Sequence, residues 1–582
     1  MPVRGRIRER AAPLGLYVAL AVLLTAEVWT APTTRWIGGC CDPEQTIWFL
    51  RWIPYAISHA SDPFVTSQIN APIGVNLMWN ASIPFLSLVM APLSVTVGSV
   101  AAYNVAIVLS IAFSAWCCFI ALRRWTPGAI GPIVGGAIYG FSPYLVSHAA
   151  LHLNLTAAWA PPLFLILLDE ILVRRGRRPW ILGVGLGLLS AAQLLTSEEL
   201  LATSVVSAAV FVIVLAAVLG ARRRNEVVIA ARRGAIAVGA ATVTFLLAAG
   251  WPLAVQLLGP LRLEGRVQDV EIFSSDLLNL ILPTPYQLIA PDAATRLSRD
   301  FSGLFHEAWA YVGLPLLVLL VAIVARRWGD ARVRVAGSMA ALMFLLSLGP
   351  TLHIAGESTG WPLPWLPFSN LPLLEHALPG RLTMFMWLAI AGIVAIAIDG
   401  ALRRPARAAL PRLVALGAAV ALCLPAPLGS STIPIPPFFE RWAEQGIAAD
   451  HAVLFAPYFT NGAGAAPMIW AAAAGDEPRI YEAYAYVPSS DGTPRFGPAP
   501  TQLSRTMQAI QDNGSAVVVR GEVRDQIARD LEGAAISVVI VGPMPNRSQM
   551  VAFFSDLFGR PPKEVDGIEL WTGVDATGVQ PR

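Results

Sequence analysis

Long apolar runs, separated by short charged or proline-rich stretches, dominate the first 425 residues of the chain. A helix that crosses a bilayer needs about 20 mostly apolar residues. Such runs predict eleven membrane-spanning helices, at 14–32, 101–122, 129–147, 155–173, 180–196, 200–220, 234–258, 308–325, 335–354, 382–401 and 408–425. The apolar stretch 83–100 contains Pro84, Pro92 and Gly98, and we expect it to be a re-entrant or interfacial segment.

The distribution of arginines predicts the orientation, because short loops rich in Lys and Arg stay in the cytoplasm. With eleven crossings, every basic cluster lies on that side, namely Arg4 to Arg10, Arg123-Arg124, Arg174 to Arg178, Arg222 to Arg233, Arg326 to Arg334 and Arg403 to Arg412. We therefore expect a cytoplasmic N-terminus, with the first apolar stretch retained as a helix. The long loops 33–100, 259–307 and 355–381 would lie outside the cytoplasm, as would everything after residue 425.

The pattern changes after residue 425, where a proline-rich linker precedes alternating short elements. Apolar runs at 452–455, 516–519 and 537–541 predict strands, and polar stretches at 502–512 and 522–531 predict helices between them. Strands that alternate with helices indicate a small extracytoplasmic α/β domain over 426–582, following a membrane domain over 1–425. This tail has no glycine-rich phosphate loop, so a gating or scaffold role is favoured over a second active site.

Composition agrees with a membrane protein. Of the 582 residues, 55% are apolar and only 14% are charged, whereas soluble domains carry about 25% charged residues. The net charge of +3 and the lack of a clustered basic face exclude a nucleic-acid-binding protein. The five cysteines match neither a disulfide framework nor a zinc-site spacing, and neighbouring cysteines such as Cys40 and Cys41 rarely bridge.

Ionisable side chains at the predicted outer membrane edge are the candidates for chemistry, because charges at membrane depth are costly and usually functional. The candidate catalytic carboxylates are Asp42, Glu44, Glu198 and Glu307, and the candidate substrate contacts include His148, His152, His376 and Arg381. Each has a structural alternative. Asp42-Pro43 also suits the start of a helix, Glu198-Glu199 suits a solvated turn, and Arg381 suits an interfacial anchor. The histidine pair has the i, i+4 spacing of metal ligands but no third ligand nearby.

The chain carries no serine-hydrolase elbow, Walker loop, HExxH motif or dinucleotide fingerprint. A carboxylate can instead serve as a general base toward an acceptor hydroxyl, while a cation neutralises a phosphate leaving group. Nucleotide sugars are not available outside the cell. The pattern therefore favours transfer from a membrane-anchored sugar phosphate.

This pattern resembles the GT-C class of membrane glycosyltransferases. In that class the first helix precedes a long outer loop with a catalytic acid, here Asp42 in Cys41-Asp42-Pro43-Glu44. Further stretches resemble a group of related bacterial membrane proteins: Ser142-Pro143-Tyr144, His152-Leu153-Asn154, Ser275-Asp276-Leu277-Leu278, Glu307 with Tyr311-Val312-Gly313-Leu314, and Leu378-Pro379-Gly380-Arg381. The resemblance covers about residues 10–425.

The resemblance implies a polyprenyl-phosphate sugar donor, inversion at the anomeric carbon and Asp42 as the base. Arg381, with His376 or Arg266, would meet the donor phosphate, and Asp276 would join the substrate contacts. An arginine often occupies the position of His376 in the related group. Some members of the class need a divalent cation and others do not, so no cofactor is certain.

The acceptor would be a glycan, glycolipid or protein of the cell envelope, and the abundance of Ala, Arg and Gly favours a bacterial plasma membrane. Two other functions stay open. A transporter or flippase for lipid-linked saccharides would favour polar residues at mid-bilayer and an internal repeat, neither of which is evident. A non-catalytic envelope assembly protein would fold normally and not need Asp42.

Overall fold

The computed structural model describes residues 3–220, 224–303, 305–371, 374–448, 451–459, 465–515 and 520–574. Its α-helices are α1 Val3–Leu24, α2 Asp42–Ser58, α3 Pro84–Thr96, α4 Ser99–Leu122, α5 Ile130–Gly140, α6 Pro143–Ala149, α7 Leu153–Thr156, α8 Ala160–Leu168, α9 Pro179–Leu194, α10 Glu198–Gly220, α11 Arg224–Leu258, α12 Asp292–Ser298, α13 Leu314–Arg326, α14 Ala331–Ser347, α15 Thr383–Leu402, α16 Ala406–Ala421, α17 Pro437–Glu440, α18 Ala466–Ala473, α19 Gln502–Asn513, α20 Glu522–Gly533 and α21 Arg547–Phe558. Its strands are β1 Arg35–Ile37, β2 Val65–Thr66, β3 Val75–Asn76, β4 Thr351–Ile354, β5 Glu357–Pro362, β6 Ser430–Thr432, β7 Ala452–Ala456, β8 Arg479–Ile480, β9 Tyr486–Pro488, β10 Pro494–Phe496, β11 Ile536–Val541, β12 Lys563–Val565 and β13 Ile568–Thr572.

The chain is a mostly helical membrane protein. Within the described residues, five helical stretches are long and apolar enough to cross a membrane, at Ser99–Leu122, Leu153–Arg174, Glu198–Val218, Asn225–Leu258 and Pro379–Leu402. Each of the eleven predicted spans overlaps a helix, but several of these helices are shorter. Eleven crossings therefore remain a prediction.

A proline explains one break in a predicted span, and length distinguishes a second apolar segment from a span. The predicted span 129–147 is divided into α5 and α6 at Ser142-Pro143, because proline disfavours helical backbone in the residue before it. The segment 83–100 contains the 13-residue helix α3. At 1.5 Å per residue this helix is about 20 Å long, which is short of the roughly 30 Å of a bilayer core.

The chain folds into two compact units, which we call the first and the second unit. The first unit consists of 1–29, 106–250 and 268–429, and the second consists of 30–105, 251–267 and 430–582. The tail after residue 430 thus belongs to the same unit as most of the predicted first outer loop. The predicted division into 1–425 and 426–582 remains a prediction.

In the first unit, small residues bring α5 and α15 close together. A Cβ atom on Gly131 would lie 2.4 Å from the carbonyl oxygen of Ala395, and one on Gly135 would lie 2.9 Å from that of Ala391. Small residues let membrane helices pack this closely, with many van der Waals contacts between their backbones. The α5–α15 contact therefore depends on glycine.

The second unit contains a five-stranded sheet in the order β12-β13-β11-β7-β8. β7 pairs in parallel with both β8 and β11, whereas β13 is antiparallel to β11 and β12. Every residue of β7 is buried, and residues of α19, α20 and α21 pack with this sheet in one core. The strands predicted at 452–455 and 537–541 coincide with β7 and β11. The strand predicted at 516–519 lies outside the described residues.

Candidate functional site

Asp42 and Glu44 lie in the first turn of α2, in the second unit. The helix begins at Asp42, has Pro43 in its first turn, and takes Cys41 as its N-cap. Proline suits this place because the first-turn N–H groups have no partner within the helix. Cys40 and Cys41 form a disulfide, so the prediction that these neighbouring cysteines do not bridge is wrong.

The two carboxyl groups differ in pKa because their surroundings differ. Glu44 is 3% exposed, and burial, reinforced by the negative charge of Asp42, raises the pKa of Glu44 to about 8. Burial also raises the pKa of Asp42, but only to about 6, because the Tyr484 hydroxyl and a backbone amide donate hydrogen bonds to its carboxylate. At neutral pH, Asp42 is therefore mostly ionised and Glu44 mostly protonated.

Buried polar atoms without a hydrogen-bond partner among the described residues occur in this pair, elsewhere on α2 and on α4. Within the described part of the chain, Oε2 of Glu44, the Tyr103 hydroxyl and Nε1 of Trp48 have no hydrogen-bond partner. The Tyr103 hydroxyl also interacts electrostatically with Glu44 and Asp42. A buried polar group without a partner costs about 1–3 kcal/mol. This site therefore has spare hydrogen-bonding capacity for a polar ligand.

In the first unit, Arg381 forms the centre of a second cluster. Its guanidinium is 4% exposed and makes ion pairs with Glu199 at 2.8 Å and with Glu307 at 2.7 Å. The guanidinium also lies over the Trp309 ring, 4.2 Å from the centroid, where a cation–π interaction adds to the ion pairs. Two carboxylates thus face one buried cation.

His148 and His152 belong to the same cluster, although α6 ends at Ala149 and the helix does not continue between them. Nε2 of His148 lies 3.3 Å from Arg381, and its Nδ1 lies 3.4 Å from Nδ1 of His152. Burial and the charge of Arg381 hold the pKa of His148 well below its usual range, and burial lowers that of His152 to about 4. Since arginine only donates, the neutral His148 ring accepts through Nε2 and carries its proton on Nδ1.

The local sequence around Arg381 explains its position. Pro379–Leu382 forms a 3₁₀ turn directly before α15. A Cβ atom on Gly380 would lie 2.6 Å from the Trp309 ring and 2.9 Å from the Phe273 carbonyl oxygen. Only glycine fits this contact without a shift. The turn therefore packs directly against the Trp309 ring, over which the Arg381 guanidinium lies.

The other predicted site residues lie apart or have different partners. Asp276 is buried and its two carboxylate oxygens accept hydrogen bonds from the backbone amides of Leu278 and Gly356, both at 2.8 Å. His376 is half-buried and pairs with Glu375 at 4.0 Å. Arg266 is exposed and belongs to the second unit. Glu198 is half-buried at the first position of α10.

Three participants were missed in the prediction from sequence. Glu199, rather than its neighbour Glu198, pairs with Arg381. Tyr484 donates to Asp42 from the tail, and Tyr103 reaches the carboxylate pair from α4. The Glu198-Glu199 dipeptide gave a signal in the sequence, but neither tyrosine stands in a recognisable motif.

Among the described residues, the donor groups do not form a cation site with three or more protein side-chain ligands. A site built from many protein oxygens is typical of Ca²⁺, whereas Mg²⁺ keeps several waters and needs only one or two carboxylates. No group of three His, Cys, Asp or Glu side chains in the described ranges is arranged to hold a metal ion. Glu44, the other carboxyl group in the first turn of α2, retains its proton at neutral pH because burial raises its pKa to about 8.

Comparison with known proteins gives a family match over most of the chain and matches to solved structures. The model of a domain of unknown function, DUF6311, matches residues 12–424. Among curated proteins, none matches the sequence. The archaeal oligosaccharyltransferase AglB from Archaeoglobus fulgidus, solved with an inhibitory peptide and a dolichol-phosphate, has a TM-score of 0.49 at 11% identity, covering 92% of this chain and 69% of that chain. The oligosaccharyltransferase of the same organism tethered with an acceptor peptide has a TM-score of 0.47 at 10% identity with the same coverage. Its apo form has a TM-score of 0.42 at 11% identity, covering 91% and 69%.

Proposed function

The chain belongs to the DUF6311 family, and we propose that this member is a membrane glycosyltransferase. In this proposal, a sugar moves from a polyprenyl-phosphate donor to a cell-envelope acceptor on the extracytoplasmic face of a bacterial plasma membrane. The acceptor is a glycan, a glycolipid or a protein. Asp42 is the general base, and the anomeric centre is inverted.

The observation that carries this proposal is the carboxyl pair at the start of α2, in which Glu44 is buried and Asp42 is half-buried. A general base works best when its pKa lies near the operating pH. Asp42, with a pKa raised to about 6, accepts a proton readily at neutral pH. Two carboxyl groups whose pKa values are pushed apart are typical of sites with separate acid and base roles. The unpaired Glu44 and Tyr103 oxygens support the binding of a polar substrate beside them.

The proposed reaction is a single displacement. The acceptor hydroxyl oxygen forms a bond with the anomeric carbon, while the bond from that carbon to the donor phosphate oxygen breaks. The hydroxyl proton moves to the Asp42 carboxylate, and polyprenyl phosphate leaves with the bonding electron pair. Glu44, protonated at neutral pH because its pKa is raised to about 8, can donate a hydrogen bond to a substrate oxygen.

For Arg381 we propose mainly a role in holding Glu199 and Glu307. Its guanidinium already pairs with two carboxylates within 2.8 Å, so a phosphate would have to replace one of them. The predicted phosphate contact is therefore proposed only as an exchange of ligands on Arg381. Binding of radiolabelled polyprenyl phosphate to the wild type and to Glu307→Gln tests it, because weakening one pair would favour the exchange.

The experiment for the overall proposal uses the full-length protein in detergent with a panel of radiolabelled polyprenyl-phosphate sugars. Wild type is compared with Asp42→Asn and with Asp62→Asn, a matched change at an exposed aspartate in the same unit. We expect sugar transfer or release in the wild type and Asp62→Asn, but not in Asp42→Asn.

Other outcomes contradict the proposal in distinct ways. Equal turnover in folded Asp42→Asn would remove Asp42 as the base and direct attention to Glu198 and Glu307. The absence of both turnover and donor binding across the panel would contradict glycosyl transfer. That result would favour the transporter or the assembly protein instead.

A further inference from the structure

One tail residue, Tyr484, contacts the first turn of α2 at two points. The Gln45 side-chain amide donates a hydrogen bond to the Tyr484 backbone carbonyl. The Tyr484 hydroxyl donates a hydrogen bond to the Asp42 carboxylate. Gln45 and Tyr484 are 439 residues apart in the sequence but lie in the same unit. The backbone and the side chain of Tyr484 therefore both engage this turn.

The Tyr484 ring is itself held in place. It stacks on Phe496, with 4.5 Å between centroids and 8° between ring planes, and it contacts Phe459 at 5.1 Å. Phe496 ends β10, which pairs with β9 at Tyr486. Asn80 fixes β9 in turn, accepting from the Tyr486 amide at 2.8 Å and donating to its carbonyl at 3.2 Å. The hydroxyl thus approaches Asp42 from a supported position.

Among the described residues, the ionisable groups that interact with Asp42 lie on α2, on α4 and in the tail. Glu44, Tyr103 and Tyr484 interact electrostatically with Asp42. Tyr486 interacts electrostatically with Tyr484. The two helices packed most extensively on α2, which are α3 and α18, carry no ionisable side chain over 84–96 and 466–473. Arg51 lies nine residues further along α2, about 14 Å away at 1.5 Å per residue. The hydroxyl of Tyr484 is thus a polar contact of Asp42 that comes from the tail.

We propose that Tyr484 is a positioning residue for Asp42, whose hydroxyl holds the carboxylate in one orientation at the start of α2. A hydrogen bond donated to the charged form of an acid favours that form. Removing the bond while keeping the ring should therefore make Asp42 retain its proton to higher pH. The effect of this hydrogen bond on catalysis rests on the proposed function. Its effect on the orientation of the Asp42 carboxylate does not.

The test compares wild type, Tyr484→Phe and Tyr486→Phe, each as the full chain in lipid nanodiscs. Tyr484→Phe keeps the ring stacking and the backbone carbonyl that Gln45 uses. Tyr486→Phe removes a hydroxyl from the same aromatic cluster and leaves the bond between Tyr484 and Asp42 in place. A hydrophobic carbodiimide, which reacts with protonated carboxyl groups, labels Asp42 across pH 5–9, and peptide mass spectrometry gives the extent.

We expect half-maximal labelling of Asp42 to move up by about one pH unit in Tyr484→Phe, the shift for loss of one hydrogen bond to a charged group. Tyr486→Phe should match the wild type. In a transfer assay, the acid limb of kcat should move by the same amount while KM stays constant. An unchanged labelling midpoint in folded Tyr484→Phe would overturn the inference.

The labelling separates this inference from the proposed function. A shifted midpoint in a protein that transfers no sugar would support the positioning role and contradict the glycosyltransferase. An unshifted midpoint, in a protein that loses transfer on Asp42→Asn, would contradict the positioning role alone.

Discussion

Replacing Arg381 by methionine should destabilise the first unit severely. Methionine roughly keeps the length of the side chain but removes the charge that faces Glu199 at 2.8 Å and Glu307 at 2.7 Å. Both carboxylates are mostly buried, with 22% and 10% of their side chains exposed. Removing one partner of a buried ion pair costs about 3–5 kcal/mol, because the remaining charge has no compensation. The lost cation–π contact with Trp309 adds to this cost.

The assay is unfolding in detergent micelles, followed by intrinsic fluorescence, with Arg403→Met as the matched control. Arg403 also pairs with a carboxylate, Asp399 at 3.0 Å, but its side chain is 60% exposed. Asp399 is 15% exposed, but solvent screens the exposed guanidinium, and such a pair contributes about 0–1 kcal/mol. We therefore expect Arg381→Met to lose several times more unfolding free energy than Arg403→Met.

A rescue experiment tests the physical reason directly. Adding Glu199→Gln and Glu307→Gln to Arg381→Met removes the uncompensated charges, so much of the lost stability should return. Similar losses for Arg381→Met and Arg403→Met would refute the reasoning. So would a triple variant that is no more stable than Arg381→Met alone.

Two further predictions concern pH and packing. The folded Glu44 carboxyl keeps its proton up to about pH 8, so the free energy of unfolding should fall as pH rises from about 4.5 to 8. In Glu44→Gln the fall in melting temperature between about pH 4.5 and 8 should disappear. A melting temperature that depends on pH as in the wild type would contradict this prediction. Gly131→Ala places a Cβ 2.4 Å from the Ala395 oxygen and should cost about 1–3 kcal/mol. A Cβ on Gly239 would lie in open space, so Gly239→Ala should not lower the free energy of unfolding. Equal losses for the two variants would count against the close contact between α5 and α15.

The parts of the fold that depend on local pattern could be predicted from the sequence. Apolar runs predicted the helices α4, α10 and α15, and short apolar runs predicted the strands β7 and β11. The division of the predicted span 129–147 was missed, although Ser142-Pro143 contains its cause. These elements depend on nearest neighbours along the chain, which a sequence displays directly.

The site depends on contacts that local pattern does not contain. Neighbouring helical residues point about 100° apart, so the packing of α10 decides whether Glu198 or Glu199 meets Arg381. Tyr484 reaches the first turn of α2 from the tail across more than 400 positions. Asp276 is acidic and buried, yet it caps backbone amides. Such assignments require the folded arrangement.

The most direct measurement of the central claim is the rate of sugar transfer by wild type and Asp42→Asn, with the donor that the panel identifies. Donor binding is measured alongside, so that a loss of chemistry is separated from a loss of affinity. General base catalysis contributes about 10²–10⁴-fold. We predict a loss of at least about hundredfold in kcat with donor binding retained, and a kcat near the wild-type value in folded Asp42→Asn would contradict the account.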